Sequence, residues 1–270
     1  IFAIQSEVAQ AIAGALKAAL TSGEKARVGA VPTRNLEAWE AYQLGEQRRA
    51  HRTAQSLAEA ARYFRRATEL DPSFALAYAG LAYALAMQLD YTGRPRESTL
   101  GEADVAAARA LELNPDLAEG WTAKGLIARD RSRPEDAELL LRRAIEINPN
   151  YAYAQFVLGL VFKNQVRLQE WLAQMQRAVE LDPLSAHYNG MYGVALEAAG
   201  RFDEAAASYR RALEIDPTMP WTYAGLAALD AYAWNRFADA VPLTEKAIAL
   251  DPESPRWLLW SAQLRLDLND

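Results

Sequence analysis

The chain has 270 residues, 51% of them hydrophobic and 24% charged, and carries a net charge of −6. The apolar content is ample for a continuous core, and the negative balance excludes nucleic-acid phosphate as the main partner, because phosphate binding needs concentrated Lys and Arg. Cysteine is absent, which excludes disulfides and thiolate metal sites and leaves the redox compartment open, with the cytoplasm favoured.

The first segment, "IFAIQSEVAQAIAGALKAAL", places Ile1, Ile4, Val8, Ile12, Leu16 and Leu20 on one face of an amphipathic helix. The polar stretch "TSGEKARVGAVPTRN" follows, so residues 1–35 are read as a leading helix and linker. A chain that opens on Ile1, directly on a helical pattern, is read as a piece of a longer protein. No apolar run reaches the roughly 18 residues needed to span a bilayer, and no membrane contact is expected.

From residue 36 onward the text repeats. Proline recurs at Pro72, Pro115, Pro149, Pro183, Pro217 and Pro252, in steps of 43, 34, 34, 34 and 35 residues, each time after Asp or Asn. A fixed period near 34 marks a helical repeat array, in which each unit buries its apolar face only by stacking on neighbours. Function is therefore expected on a surface. Each unit reads as two helices. The second is legible in "AARYFRRATELDP", "AELLLRRAIEINP" and "AAASYRRALEIDP", with apolar or small residues three and four apart, and Pro ends it. The first carries a small residue at one equivalent place: Gly45, Ala82, Gly125, Gly159, Gly193 and Ala227. Two helix backbones can approach closely there.

Ser73, Asp116, Asn150 and Thr218, one residue after their prolines, are the candidate N-caps of the next helix. Arg pairs such as Arg65-Arg66, Arg142-Arg143 and Arg210-Arg211 sit near Glu at i+3 or i+4 and predict an ion-paired outer face. Trp171 stands where the other units carry Ala, which predicts local splaying of the fourth unit. Six units occupy residues 36–252, and residues 253–270 form a trailing helix without a second helix to cover it. Exposure of Trp257, Leu258 or Trp260 would mark self-association or a cut repeat.

The small residue at the eighth position, Ala at the twentieth and twenty-seventh, a large residue at the twenty-fourth (Phe64, Leu141, Met175, Tyr209) and Pro at the thirty-second resemble the tetratricopeptide repeat. That resemblance implies an all-α, right-handed superhelical solenoid of antiparallel helix pairs, whose concave face receives extended or helical peptides. It places positions two, five, nine and twelve of each unit in the groove. The candidate partner-binding residues are thus Trp39, Tyr42 and Arg49 of the first unit, Tyr83 of the second, and Thr122, Leu126 and Arg129 of the third. Tyr153, Val157 and Lys163 follow from the fourth, His187 from the fifth and Trp221 from the sixth. Arg129 and Lys163, on adjacent units, are read as able to hold one acidic group, and some of the aromatics as able to pack between units instead. Lys and Asn pairs that would grip a carboxylate terminus are missing from these positions, which favours an internal peptide or a folded partner.

A finer resemblance rests on the leading segment with "NLEAWEAYQLG", and on the insertion "LDYTGRPREST" followed by "LGEADVAAARALELNPDLAEGW". This text is similar to the region joining a TolB-like amino-terminal domain to tetratricopeptide repeats in bacterial multidomain regulators, which can carry a cyclase, kinase or winged-helix module. No catalytic signature is legible. His51 and His187 have no partner at metal-ligand spacing, and the paired carboxylates Asp203-Glu204 and Glu135-Asp136 fall at helix starts, where they complement the dipole. The chain is therefore expected to be a non-enzymatic interaction scaffold without cofactor or metal, binding a protein or peptide. The alternative is a regulatory array acting in cis on an effector domain.

Overall fold

The computed structural model describes residues 31–91 and 93–267, together with Glu7, Val8 and Ala11. Of the leading helix and linker expected over residues 1–35, residues 1–6, 9, 10 and 12–30 lie outside the described residues. Among these, the chain is all-α, with 13 α-helices and no strand. They are α1 (Leu36–Ala50), α2 (Ala54–Leu70), α3 (Ala75–Gln88), α4 (Arg96–Leu113), α5 (Ala118–Asp130), α6 (Pro134–Ile147), α7 (Ala152–Asn164), α8 (Leu168–Leu181), α9 (Ala186–Ala198), α10 (Phe202–Ile215), α11 (Pro220–Ala228), α12 (Phe237–Leu250) and α13 (Pro255–Asp267). Two compact units divide at residue 123, inside α5.

In the first unit α1 packs on α2, α2 on α3 and α3 on α4. In the second, successive helices from α6 to α13 pack in the same order. The even-numbered helices from α2 to α12 bury the alanines that the pattern selects: Ala60, Ala103, Ala137, Ala205 and Ala240 have no exposed surface. Between neighbouring pairs one large side chain is driven onto bare backbone. Phe64 of α2 lies against both Gly45 and Gly80, and Tyr209 of α10 against both Gly193 and Gly225. Leu141 and Met175 each lie against the glycine of their own pair, Gly125 and Gly159. The glycines thus serve the close packing that the sequence implies.

The turns between pairs differ from expectation. Ser73, Asp116, Asn150 and Thr218 precede the caps rather than forming them; the N-caps are Phe74, Tyr151 and Met219 where the cap geometry is defined. The residue before each proline is the organiser. Asp71 Oδ1 accepts from the Ser73 amide at 2.9 Å and its hydroxyl at 2.6 Å, and Asp216 receives the same two bonds from Thr218. Asn114 and Asn148 accept from the Asp116 and Asn150 amides. Each Asx side chain closes a turn around its proline, so the following Ser or Thr is already committed. Side-chain caps occur elsewhere, at Asn35, Thr53 and Ser185.

Within pairs, the inner turn repeats a left-handed residue: Ser132, Val166, Gly200 and Asn235 have φ of 57°, 61°, 72° and 55°. The one-residue-longer sixth unit absorbs its extra residue as a π-turn, Leu229–Ala233, ahead of that position. Trp171 is seated within the fourth unit, 6% exposed, with α7 and α8 still packed together. Its ring reaches the surface beneath Lys163, whose Nζ lies 5.3 Å from the ring centroid. Its Nε1 is buried without a hydrogen-bond partner.

Candidate functional site

In the first unit, Trp39 and Tyr42 stack on one face of α1 with ring centroids 5.5 Å apart, and both lean on Phe74. Burial, with Glu46 and Glu119 nearby, pushes the Tyr42 phenol above its ordinary value, so it is neutral. Arg49 lies over the Tyr83 ring at 5.9 Å and is held by Glu46 at 2.6 Å. Tyr83 donates its hydroxyl to the Glu119 carbonyl at 2.5 Å. Thr122 turns back to the Ala118 carbonyl of its own helix.

In the second unit, the inner-face aromatics form a continuous row. Tyr153 stacks on Phe156 at 6.0 Å, Phe156 meets His187 edge-on at 5.1 Å, and His187 meets Trp221 at 5.9 Å. The Trp221 ring then lies over Gly190, where any side chain would strike it. Phe156 was missed by the sequence reading. Counting back from Gly159, it and not Val157 occupies the fifth position, and Val157 points into the core with no exposed surface.

Five predicted contact residues are therefore packing residues in this structure. Tyr83, Thr122, Leu126, Tyr153 and Val157 are at most 6% exposed. Arg129 needs a second correction. Its Nε and Nη2 both reach Asp130 Oδ1, at 2.8 and 2.6 Å, with both side chains largely covered. Its charge is compensated, so it is not a partner for Lys163 in holding an acid. Trp39, Tyr42, Arg49, His187 and Trp221 remain half-buried, and Lys163 is exposed.

One concavity lies wholly in the second unit. It is a cleft of about 1060 Å³ walled by Lys163 of α7, Val194 and Glu197 of α9, Trp221, Ala224 and Ala228 of α11, and Arg256, Leu259 and Trp260 of α13. Arg256 and Leu259 fall at positions two and five of the repeat, which line the other first helices, so the trailing helix supplies the fourth wall, with Trp260 beside them. Trp257, by contrast, is buried against Ala224 and Ala247 and donates to Asp251 Oδ2 at 3.1 Å. Leu258 and Leu266 are exposed. Tyr209 donates to Glu197 Oε2 at 2.7 Å, and burial together with that bond holds its phenol well above the ordinary value.

The even-numbered helices carry a different chemistry. Arg66–Glu69, Arg109–Glu112, Arg143–Glu146, Arg177–Glu180 and Arg211–Glu214 pair one turn apart in solvent. Among the described residues no helix is long and apolar enough to cross a membrane, and no acidic, His or Cys cluster is placed to hold a metal.

Stacked antiparallel helix pairs with a small residue at each crossing and an aromatic inner face define a helical-repeat interaction scaffold. A model of the tetratricopeptide repeat matches residues 98–152, 122–170, 156–220 and 226–270, more than half of the chain. The chain belongs to the tetratricopeptide repeat family, whose members mediate protein–protein interaction and are generally non-catalytic. Solved structures share the fold at low identity. YrrB, described as a TPR protein with an unusual peptide-binding site, is 23% identical with a TM-score of 0.52, over 74% of this chain and 97% of its own. PilF of Pseudomonas aeruginosa is 19% identical with a TM-score of 0.59, over 84% and 97%. The Cut9–Hcn1 hetero-tetramer of the APC/C contains a chain 16% identical with a TM-score of 0.66, over 97% and 52%. No curated protein matches the sequence.

Proposed function

We propose that the chain is a scaffold that binds a polypeptide on its inner helix faces, chiefly in the cleft between α7, α9, α11 and α13. The observation that carries this reading is the cleft itself, about 1060 Å³ and lined by Trp221 and Trp260. Trp and Arg are enriched among the residues that dominate binding energy where they are fully covered, Trp because a rigid ring buries much area for little entropy. The peptide-binding site named for YrrB is in keeping with it. We place the contacts on Trp39, Tyr42, Arg49, Lys163, His187 and Trp221, and read residues 36–252 as six repeats with α13 opening a seventh. Peptides selected by the 270-residue chain from a displayed random library test the reading by calorimetry. Trp221→Ala should weaken binding by more than about 1 kcal/mol with helicity unchanged. Unaltered affinity, with loss on changing Arg142 and Arg210, would move the site to the even-numbered helices.

A second reading, regulation in cis of an effector domain, is supported by the likeness of the leading segment and of the insertion after α3 to regulators with a TolB-like domain. Its test is whether the upstream module, once joined to the array, changes activity when Trp221 is substituted.

A further inference from the structure

We propose that the cleft of the second unit selects acidic peptides, holding side-chain carboxylates between Lys163 and Arg256 while apolar anchors sit on Trp221, Trp260 and Leu259; the inference rests on the groove reading above. The charge pattern of the lining carries the inference. On the even-numbered helices, arginines such as Arg143, Arg177 and Arg211 have a Glu one turn away. In the cleft, Lys163 and Arg256 have no carboxylate partner among the described residues. Each instead lies on an indole, Lys163 at 5.3 Å from the Trp171 centroid and Arg256 at 5.0 Å from that of Trp257. The aromatic faces position the two cations without neutralising them.

Against these two charges the lining sets one carboxylate, Glu197, and that group already accepts the Tyr209 hydroxyl. The cleft therefore has an excess of one positive charge on a chain whose net charge is −6. Such a local inversion attracts anionic segments and discriminates against basic ones. The rest of the wall is apolar, and Leu259 leaves 72% of its surface open to an occupant. A free anion would leave that surface wet, whereas a peptide alternating acidic and large apolar residues covers both features. Arg129, the companion for Lys163 suggested by sequence, is excluded by its bond to Asp130.

The test uses three fluorescein-labelled peptides with identical Leu and Trp positions, the remaining positions being all Glu, all Gln or all Lys, titrated into the 270-residue chain by anisotropy. The Glu peptide should bind at least about tenfold tighter than the Gln peptide, and the preference should fade in high salt. It should collapse in Lys163→Met with Arg256→Met and persist in Lys163→Arg, with circular dichroism unchanged throughout. Equal affinity for Glu and Gln peptides, binding of neither, or a preference that survives the double substitution overturns the inference. If affinity is equal yet lost in Trp221→Ala, the groove reading stands and only the acid selectivity fails. If peptide binding survives Trp221→Ala unchanged, the groove reading itself falls.

Discussion

The Phe64 ring occupies the space that a side chain on Gly80 would need: a methyl group there would lie 2.5 Å from Phe64 Cε1. Phe64 has no exposed surface, so it cannot swing aside. This contact joins the first helix pair to the next, and equivalents recur wherever a large residue of one pair meets the bare backbone of its neighbour.

Gly80→Ala should therefore destabilise the protein by about 1–3 kcal/mol, the usual range for overpacking. Gly101, on α4, has nothing within 4 Å of an added methyl. Gly101→Ala should stabilise by about 0.5–1 kcal/mol, since Ala loses less backbone freedom in a helix. Urea unfolding of the two variants gives the comparison. Equal midpoints would show that the ring is free to move.

Trp171 tests a different kind of misfit. Its Nε1 is buried and unpartnered, and an unmade buried hydrogen bond costs about 1–3 kcal/mol. Trp171→Phe removes the donor and keeps most of the ring, so it should be neutral or stabilising. Trp171→Ala should cost about 3–5 kcal/mol through the cavity it leaves. A loss from the Phe variant as large as that from the Ala variant would mean that the indole N–H is satisfied.

How far the text foretold the molecule follows from what repeats in it. The helix pairs, the small residues at crossings and the paired arginines are periodic, so six copies reinforce one another. The turn chemistry was misread because Ser73 and Thr218 look like caps until Asp71 and Asp216 are seen to claim them. The contact residues were only partly legible. Position in the repeat fixes which face a side chain starts from, but whether Tyr83 or Tyr153 ends covered depends on the neighbour's bulk. Arg256 and Leu259 went unnoticed as lining residues because the trailing helix was read as a cap or a cut repeat, although their spacing from Pro252 matches that of Trp221 and Ala224 from Pro217.

Acid should weaken the array through two carboxylates. Burial pushes Asp71 and Glu138 up, and hydrogen bonds more than offset this: Ser73 and Thr33 donate to Asp71, Arg167 and Arg142 to Glu138. Both groups end below their ordinary values. A depressed folded-state value means that the stabilisation is fully present above the unfolded value, about pH 4, and is lost as pH falls through the folded one. Unfolding midpoints should therefore drop between about pH 5 and pH 3. The drop should be shallower in Glu138→Gln, and parallel curves would contradict the assignment.

Val166 is the most strained position in the inner turns. It adopts φ of 61° where Gly200, one repeat later, has 72°. A β-branched residue crowds its own carbonyl in that region, at about 1–2 kcal/mol, whereas glycine enters it freely. Val166 is 87% exposed, so its side chain contributes almost no burial in return. Glycine does lose more entropy on folding, about 0.5–1 kcal/mol, which offsets part of the relief. Val166→Gly should consequently stabilise the protein by several tenths to about 1 kcal/mol, while Gly200→Val should destabilise it by a similar or larger amount. Chemical denaturation of both variants decides the matter. Destabilisation by Val166→Gly would show that the valine makes contacts which outweigh its backbone strain.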